Sequence, residues 1–222
     1  MEEMKPLFTI VLGALKIDIT SSIMVQWIII ILVAILAKVS TSNLKKVPDK
    51  KQSVVEMIFE AIRNLVSENM GEEYIKFVPY VGTLAIFILI MNFTPLIGVK
   101  APTEDLSVAA GLALISFIIV QFNAIKRVGL GHYFKAYTEP VLPLLPLNIV
   151  ERLVLPVSLS LRLFGNLTAG AVVLGMIYGG MGHMAFLIPI PFHAFFDLFD
   201  GSIQMIVFVM LTMMNIKIIA EH

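Results

Sequence analysis

Arg162 occupies the longest uncharged stretch of this 222-residue chain: nine residues without a charged side chain precede it and thirty-four follow it. A guanidinium does not lose its proton. Placing one at mid-bilayer costs from about 3 to above 10 kcal/mol, so an arginine there faces protein or water and serves a function. Snorkelling to the interface needs a nearby helix end, and none lies close enough. At helical spacing Arg162 shares a face with Ser158 and Asn166, and Gly165, Ala169, Gly170 and Ala171 follow on the same helix. Small residues let another helix approach closely. Either this chain packs on itself there, or a separate helix slides past.

The chain offers further polar groups around that cation. Gly179-Gly180-Met181-Gly182, followed by Pro189 and Pro191, is turn chemistry, so two long helices form a hairpin centred near His183. Antiparallel arms then pair positions whose numbers sum to about 366, which sets Gln204 level with Arg162 and Asp200 level with Asn166. Asp197 and Gln204 are seven apart, on one face. His193, Asp197, Asp200 and Gln204 form a polar ladder descending toward the arginine, and Glu151 lies three turns from it on the other side. Carboxylates and histidine relay protons or bind a small cation, whereas arginine presents only a fixed positive charge. A continuous file of acids would leak; one interrupted by a permanent cation does not. An ion must then detour on a carrier, and the chain has no second intramembrane carboxylate of its own on a free helix. The missing carrier points to a partner subunit.

The elements that must hold these groups are membrane helices. The chain is 58% hydrophobic and 14% charged, with a mean hydropathy of +0.92, which excludes a water-soluble globule. Sixteen basic residues cancel sixteen acidic ones, so no global basic field exists to hold nucleic acid. The absence of cysteine excludes disulfides, thiol nucleophiles and Cys-ligated zinc. A span needs about 20 apolar residues, and the intervals between charges give spans over 19–37, 77–99 and 106–125, with hairpin arms over 141–178 and 186–220. Pro48-Asp49 and the capping-box spacing of Ser53 and Glu56 open an amphipathic helix over 48–70. Its stripe of Val54, Val55, Ile58, Ile62, Leu65 and Val66 is expected to lie on the membrane surface. The acidic start MEEMKPLF differs from the basic n-region of a secretory signal, so the first apolar run is expected to stay. The expectation is one all-α integral membrane domain over 1–222 without internal repeats.

Lysine and arginine collect after the first span, at Lys38, Lys45, Lys46, Lys50, Lys51 and Arg63, and after the third, at Lys126, Arg127 and Lys135. The loop from Val99 to Asp105 has one lysine beside two acids, and the hairpin turn has no charge. By the positive-inside rule the N-terminus and the hairpin turn face outward and the C-terminus faces the cytoplasm. Two rival classes fit poorly. An intramembrane enzyme built on Asp197 and Asp200 lacks any His-Glu-x-x-His or Gly-x-Gly-Asp motif, and a self-sufficient transporter would carry internal repeats and broken helices.

The segments Pro146-Leu147-Asn148-Ile149-Val150-Glu151 and Pro156 through Asn166 (PVSLSLRLFGN) closely resemble the a subunit of F-type ATP synthases. Phe77-Val78-Pro79-Tyr80, Pro102-Thr103-Glu104-Asp105-Leu106, Gly129-Leu130-Gly131-His132-Tyr133-Phe134 and Ile203-Gln204 with Met210-Leu211-Thr212 match in the same order. The resemblance covers roughly Pro48 to His222, and the first span matches only in character. It implies a non-catalytic stator subunit of a bacterial cell membrane that clasps a rotating ring of c subunits with two tilted helices. The b-subunit peripheral stalk and the other synthase subunits would be its further partners, and no cofactor or metal is expected. Arg162 matches the family's essential arginine, which faces the ring carboxylate and separates two offset half-channels. Asn166 and Gln204 match polar residues near it, Glu151 an acid of the cytoplasmic half-channel, and Asp197 a titratable position of the outer one. Ala171 departs from the pattern, since many members carry Glu or His nine residues after the arginine. Asp200 and His193 are extra candidates for the outer path, each with solvation or helix capping as the alternative.

Overall fold

The computed structural model describes residues 8–12, 15–42, 44–129, 131, 145–181 and 189–221. Two short strands come first: β1 (Phe8–Leu12) pairs antiparallel with β2 (Leu15–Ile19), with Thr9 opposite Asp18 and Val11 opposite Lys16. Apolar and polar residues alternate along β2, the period of a pleated ribbon, but in β1 only at Phe8-Thr9-Ile10. This hairpin takes Ile19 out of the first span, which runs instead as α1 (Ser21–Thr41). Helix α1 is apolar almost all round and mostly exposed, as suits a peripheral helix in lipid.

The second helix, α2 (Lys50–Met70), starts two residues later than expected. Ser53 lies inside it, its N–H donating to the Asp49 carbonyl, so the proposed capping box does not form. Asp49 holds the N-cap position without a side-chain cap because its carboxylate is taken by Lys45 Nζ at 3.0 Å. Gln52 bridges this end to the preceding loop, accepting from Lys45 N and donating to Lys45 O. Only the C-terminal half of the apolar stripe packs on protein: Val66 and Met70 are buried, and Ile62 meets α3 at Gly82. Val54, Met57, Ile58 and Phe59 remain exposed. Gly71, at φ 102°, ends the helix as expected.

A 3-10 turn (Glu72–Phe77) leads into α3 (Val78–Phe93), another (Thr94–Ile97) closes it, and Pro102–Glu104 forms a third before α4 (Leu106–Val128). Asp105 caps α4 by accepting from the Ser107 N–H at 3.0 Å. The hairpin arms follow: α5 (Leu145–Met181), then α6 (Pro189–His193), a π-helical segment (Ala194–Asp200) and α7 (Gly201–Glu221). Among the described residues, five helical stretches are long and apolar enough to cross a membrane. Helix α5 stays helical through Gly179, Gly180 and Met181, past the expected end at 178; the expected turn centre at His183 and residues 141–144 lie outside the described residues.

The core forms where α3, α4, α5 and α7 meet. Helix α4 presents Ala109, Ala113, Ser116, Val120 and Ala124, all buried, on the face that meets α5 and α7. Their small side chains let large apolar groups fit across the contact, among them Leu159, Leu163 and Leu167 of α5 and Val209, Met213 and Ile216 of α7. Tyr80 Oη donates to Ser116 Oγ at 2.9 Å, pinning α3 to α4.

Candidate functional site

Helix α5 has two faces. Leu159, Leu163, Leu167, Gly170 and Leu174 are buried against the bundle, at the three- and four-residue spacing of one helical stripe. The opposite stripe, through Leu147, Glu151, Val154, Ser158, Leu161, Arg162, Asn166, Ala169, Val172 and Met176, is exposed. Arg162 lies near the middle of this 37-residue helix. Among the described residues no hydrogen bond or ion pair engages its guanidinium. The same open face has room around Gly165, where an added Cβ would meet nothing within 4 Å.

The small residues expected to form one sliding surface therefore divide. Gly165 and Ala169 stay with the open face. Gly170 is consumed inside the chain, because a Cβ there would come within 3.1 Å of the Phe196 ring. That contact sums to 366, the register expected for the two arms.

The second arm differs from the regular helix expected. The π segment widens the turn over Ala194–Asp200, so 3.6-residue spacing does not hold across it. Phe195 stacks on Phe199 with centroids 5.7 Å apart and meets Phe196 edge-on. Asp197 and Gln204 are nevertheless both buried, at 5% exposure each, while Asp200 and His193 are half-buried. No described contact joins Gln204 to Arg162. The level pairing expected for them is a register, and no hydrogen bond accompanies it.

A polar cluster forms at the turn end of the hairpin. His193 Nδ1 hydrogen-bonds Asp197 Oδ2, and Tyr178 Oη of α5 lies 2.8 Å from His193 Nε2. The ladder's first two members are thus joined, with Tyr178 as a third that sequence reasoning passed over. Its only sequence signal was its place five residues before the expected turn centre. Beside the cluster, Asn92 is fully buried and donates from Nδ2 to the Gly201 carbonyl at 2.9 Å. Its Oδ1 accepts from Thr103 Oγ1 at 3.0 Å. Asn92 thereby ties the end of α3 to the Pro102–Glu104 turn and to the start of α7. Gly201 allows the approach, since a Cβ on it would stand 3.2 Å from Asn92 Cβ. Burial pushes the Glu104 carboxyl above its ordinary value; Lys100 at 3.8 Å and a backbone hydrogen bond oppose this, and the charge of Asp197 adds to it.

The chain as a whole has relatives among known proteins. Residues 23–217 match the family model described as ATP synthase A chain. The chain belongs to that family. Among its relatives is the ATP synthase subunit a of Moorella thermoacetica, 38% identical over 213 residues, covering 96% of this chain and 95% of that protein. The sodium ion specific ATP synthase subunit a of Propionigenium modestum is 34% identical over 224 residues, covering 92% and 75%. A chloroplastic ATP synthase subunit a from Stigeoclonium helveticum is 34% identical, covering 84% and 78%.

This subunit a is a multi-pass, helical membrane protein of the ion-transporting sector of an ATP synthase. Within it Ser158, Arg162 and Asn166 share the open face as the helical spacing implied, and Glu151 lies exposed further along α5. Ala171 is partly buried and offers no titratable group beside the arms.

Proposed function

We propose that this subunit supplies two offset half-channels to a rotating ring of c subunits, and that Arg162 keeps them apart. The observation that carries the reading is the guanidinium itself: exposed, without a partner among the described residues, and halfway along an apolar helix. A permanent charge left facing outward at such depth needs a counter-charge from outside the chain. A ring carboxylate satisfies it, and the room at Gly165 and Ala169 lets a helix carrying that carboxylate pass.

Glu151 serves the cytoplasmic approach and Asp197, with His193 and Asp200, the outer one; Ser158, Asn166 and Gln204 line the polar path beside the arginine. A carboxylate reaching Arg162 is held ionised by the positive charge, so it gives up its ion on one side before passing and takes another on the other side. The subunit breaks no covalent bond; it converts an ion gradient into ring rotation. In this reading the hairpin turn faces outward, the C-terminus faces the cytoplasm of a bacterial cell, and the b-subunit stalk holds the subunit still.

The test is coupled synthesis by the whole complex. Arg162→Ala is expected to assemble with its partner subunits yet abolish ion-driven ATP synthesis, and Arg162→Lys to fail as well, because a buried lysine can lose its proton. Near-normal synthesis in the assembled Ala variant overturns the reading.

A further inference from the structure

The segment that joins α1 to α2 carries charge and apolar surface that the half-channels do not use. We propose that it binds the anionic headgroups of the leaflet in which α1 ends, so that the N-terminal half of α2 anchors the subunit to negatively charged phospholipid. This contact does not depend on how the two approaches are assigned.

Five lysines, Lys38, Lys45, Lys46, Lys50 and Lys51, fall between residues 38 and 51, and Asp49 is the single acid in that interval. Lys45 Nζ takes its carboxylate at 3.0 Å. Among the described residues no ion pair or hydrogen bond engages the side chains of Lys38, Lys46, Lys50 or Lys51, and all four are exposed. Lys38 lies in the last turn of α1, which sets the depth. The lysines stand where that helix leaves the hydrocarbon, at the level of lipid phosphates.

The loop between the helices is pinned. Gln52, in the first turn of α2, accepts from Lys45 N at 3.0 Å and donates to Lys45 O at 2.9 Å. Lys45 and Lys46 are thereby held beside the turn that bears Lys50 and Lys51. Large apolar side chains are interleaved with these charges: Leu44, Val47, Val54, Met57, Ile58 and Phe59 are each at least 45% exposed, Val47 as much as 80%. An apolar patch of this kind marks a contact surface.

On α2 the charges are sorted by sign. Lys50, Val54 and Ile58 stack at four-residue spacing, with Lys51 next to them. Glu56 and Glu60 lie on the opposite side together with Arg63, and Glu56 is held there by Gln52 Nε2 at 2.7 Å. The bundle takes a third side, through Ile62, Val66 and Met70. The helix therefore turns one flank to protein and its acids to water, and keeps its two lysines with the exposed apolar residues. That is the pattern of a helix lying in the interface. Lysine stems follow the apolar surface while their ammonium groups reach the phosphates, and each lysine near an anionic surface strengthens the attraction about fivefold. Zwitterionic headgroups have no net charge to offer in return.

The test uses the whole complex in phosphatidylcholine vesicles, with a fluorophore on Met57→Cys. This chain has no cysteine of its own, and those of the partner subunits are replaced. Nitroxide-bearing phosphatidylglycerol or nitroxide-bearing phosphatidylcholine is added at equal mole fraction, and quenching is compared. At low salt the phosphatidylglycerol is expected to quench at least about threefold more strongly, and the ratio to fall toward one at about 0.5 M salt, where screening removes the attraction. Lys46→Gln, Lys50→Gln and Lys51→Gln combined should remove the preference yet leave quenching by phosphatidylcholine, because the apolar side stays immersed. Equal quenching by the two lipids in the parent overturns the proposal, and so does a preference that the triple variant keeps. A probe that neither lipid quenches shows that another subunit covers this face, which overturns it too. The parent's own lipid preference and salt dependence decide the matter if the triple variant does not assemble.

Discussion

Asn92 is the point where three elements depend on one side chain, and Asn92→Ala measures how much they depend on it. The substitution deletes an acceptor 3.0 Å from Thr103 Oγ1 and a donor 2.9 Å from the Gly201 carbonyl. Thr103 is itself fully buried, so its hydroxyl has no water to turn to. An orphaned buried hydroxyl costs about 1 to 3 kcal/mol. Loss of the second bond adds roughly 0.6 kcal/mol, the average for hydrogen bonds between membrane helices. With the small void left by the amide, the expected loss is about 2 to 4 kcal/mol. Thr103→Val, which keeps the shape and removes one bond, should lose about half as much. The two sites share a bond, so the double variant should fall short of the sum by on the order of 1 kcal/mol. Unfolding by SDS titration in mixed micelles reads all three values. An Asn92→Ala variant within about 0.5 kcal/mol of the parent, or strict additivity in the cycle, refutes the argument.

The two glycines of α5 should respond in opposite ways. Gly170→Leu drives a side chain into Phe196 and should destabilise the hairpin by about 1 to 3 kcal/mol, whereas Gly165→Leu should leave unfolding unchanged but slow ATP synthesis by blocking the open face. Equal effects on unfolding would show that the faces are assigned wrongly. Glu104 gives a pH signature. Its folded carboxyl sits above its ordinary value of 4.5, so the folded state binds more protons than the unfolded one, and stability is full below that value and falls as pH rises through the raised one. Glu104→Gln should therefore stabilise the subunit at pH 7 and make no difference near pH 4; a loss at pH 7 would mean that Lys100 dominates. For topology, single cysteines at positions 97 and 180 should react with an impermeant thiol reagent from outside, and those at 46 and 126 from the cytoplasm. Position 103 is a poor probe because Thr103 is buried. Labelling of position 46 from outside would reverse the orientation.

The helical spans were legible because uncharged runs of membrane length leave a chain little choice. The exposed arginine face was legible too, since Ser158, Arg162 and Asn166 repeat every four residues on a helix that Pro156 does not end. The β-hairpin at Phe8–Ile19 was missed because its alternation is short and runs straight into the apolar pattern of α1. The capping box misled because spacing alone does not reveal that Asp49, five residues upstream of the first stripe residue Val54, holds the N-cap position while its carboxylate pairs with Lys45. Tyr178 and Asn92 were overlooked for a common reason. Both act through contacts with residues distant in sequence, His193 in one case and Gly201 and Thr103 in the other, and no local spacing encodes these. The π segment over Ala194–Asp200 carries no signal that 3.6-residue periodicity can detect.

The central claim is that Arg162 is a barrier and Asp197 a conduit. It is tested most directly by passive cation conductance through the membrane sector with its ring cross-linked to the stator so that it cannot turn, reconstituted in vesicles under an applied potential worth about 2.3 kcal/mol per charge per 100 mV. The parent and Asp197→Asn should hold the potential, the variant because it closes one approach while the fixed charge still bars the direct path. Arg162→Ala should leak, because the two approaches then connect through the partner's carboxylate. Equal leak from Arg162→Ala and Asp197→Asn, or none from Arg162→Ala, would contradict the account.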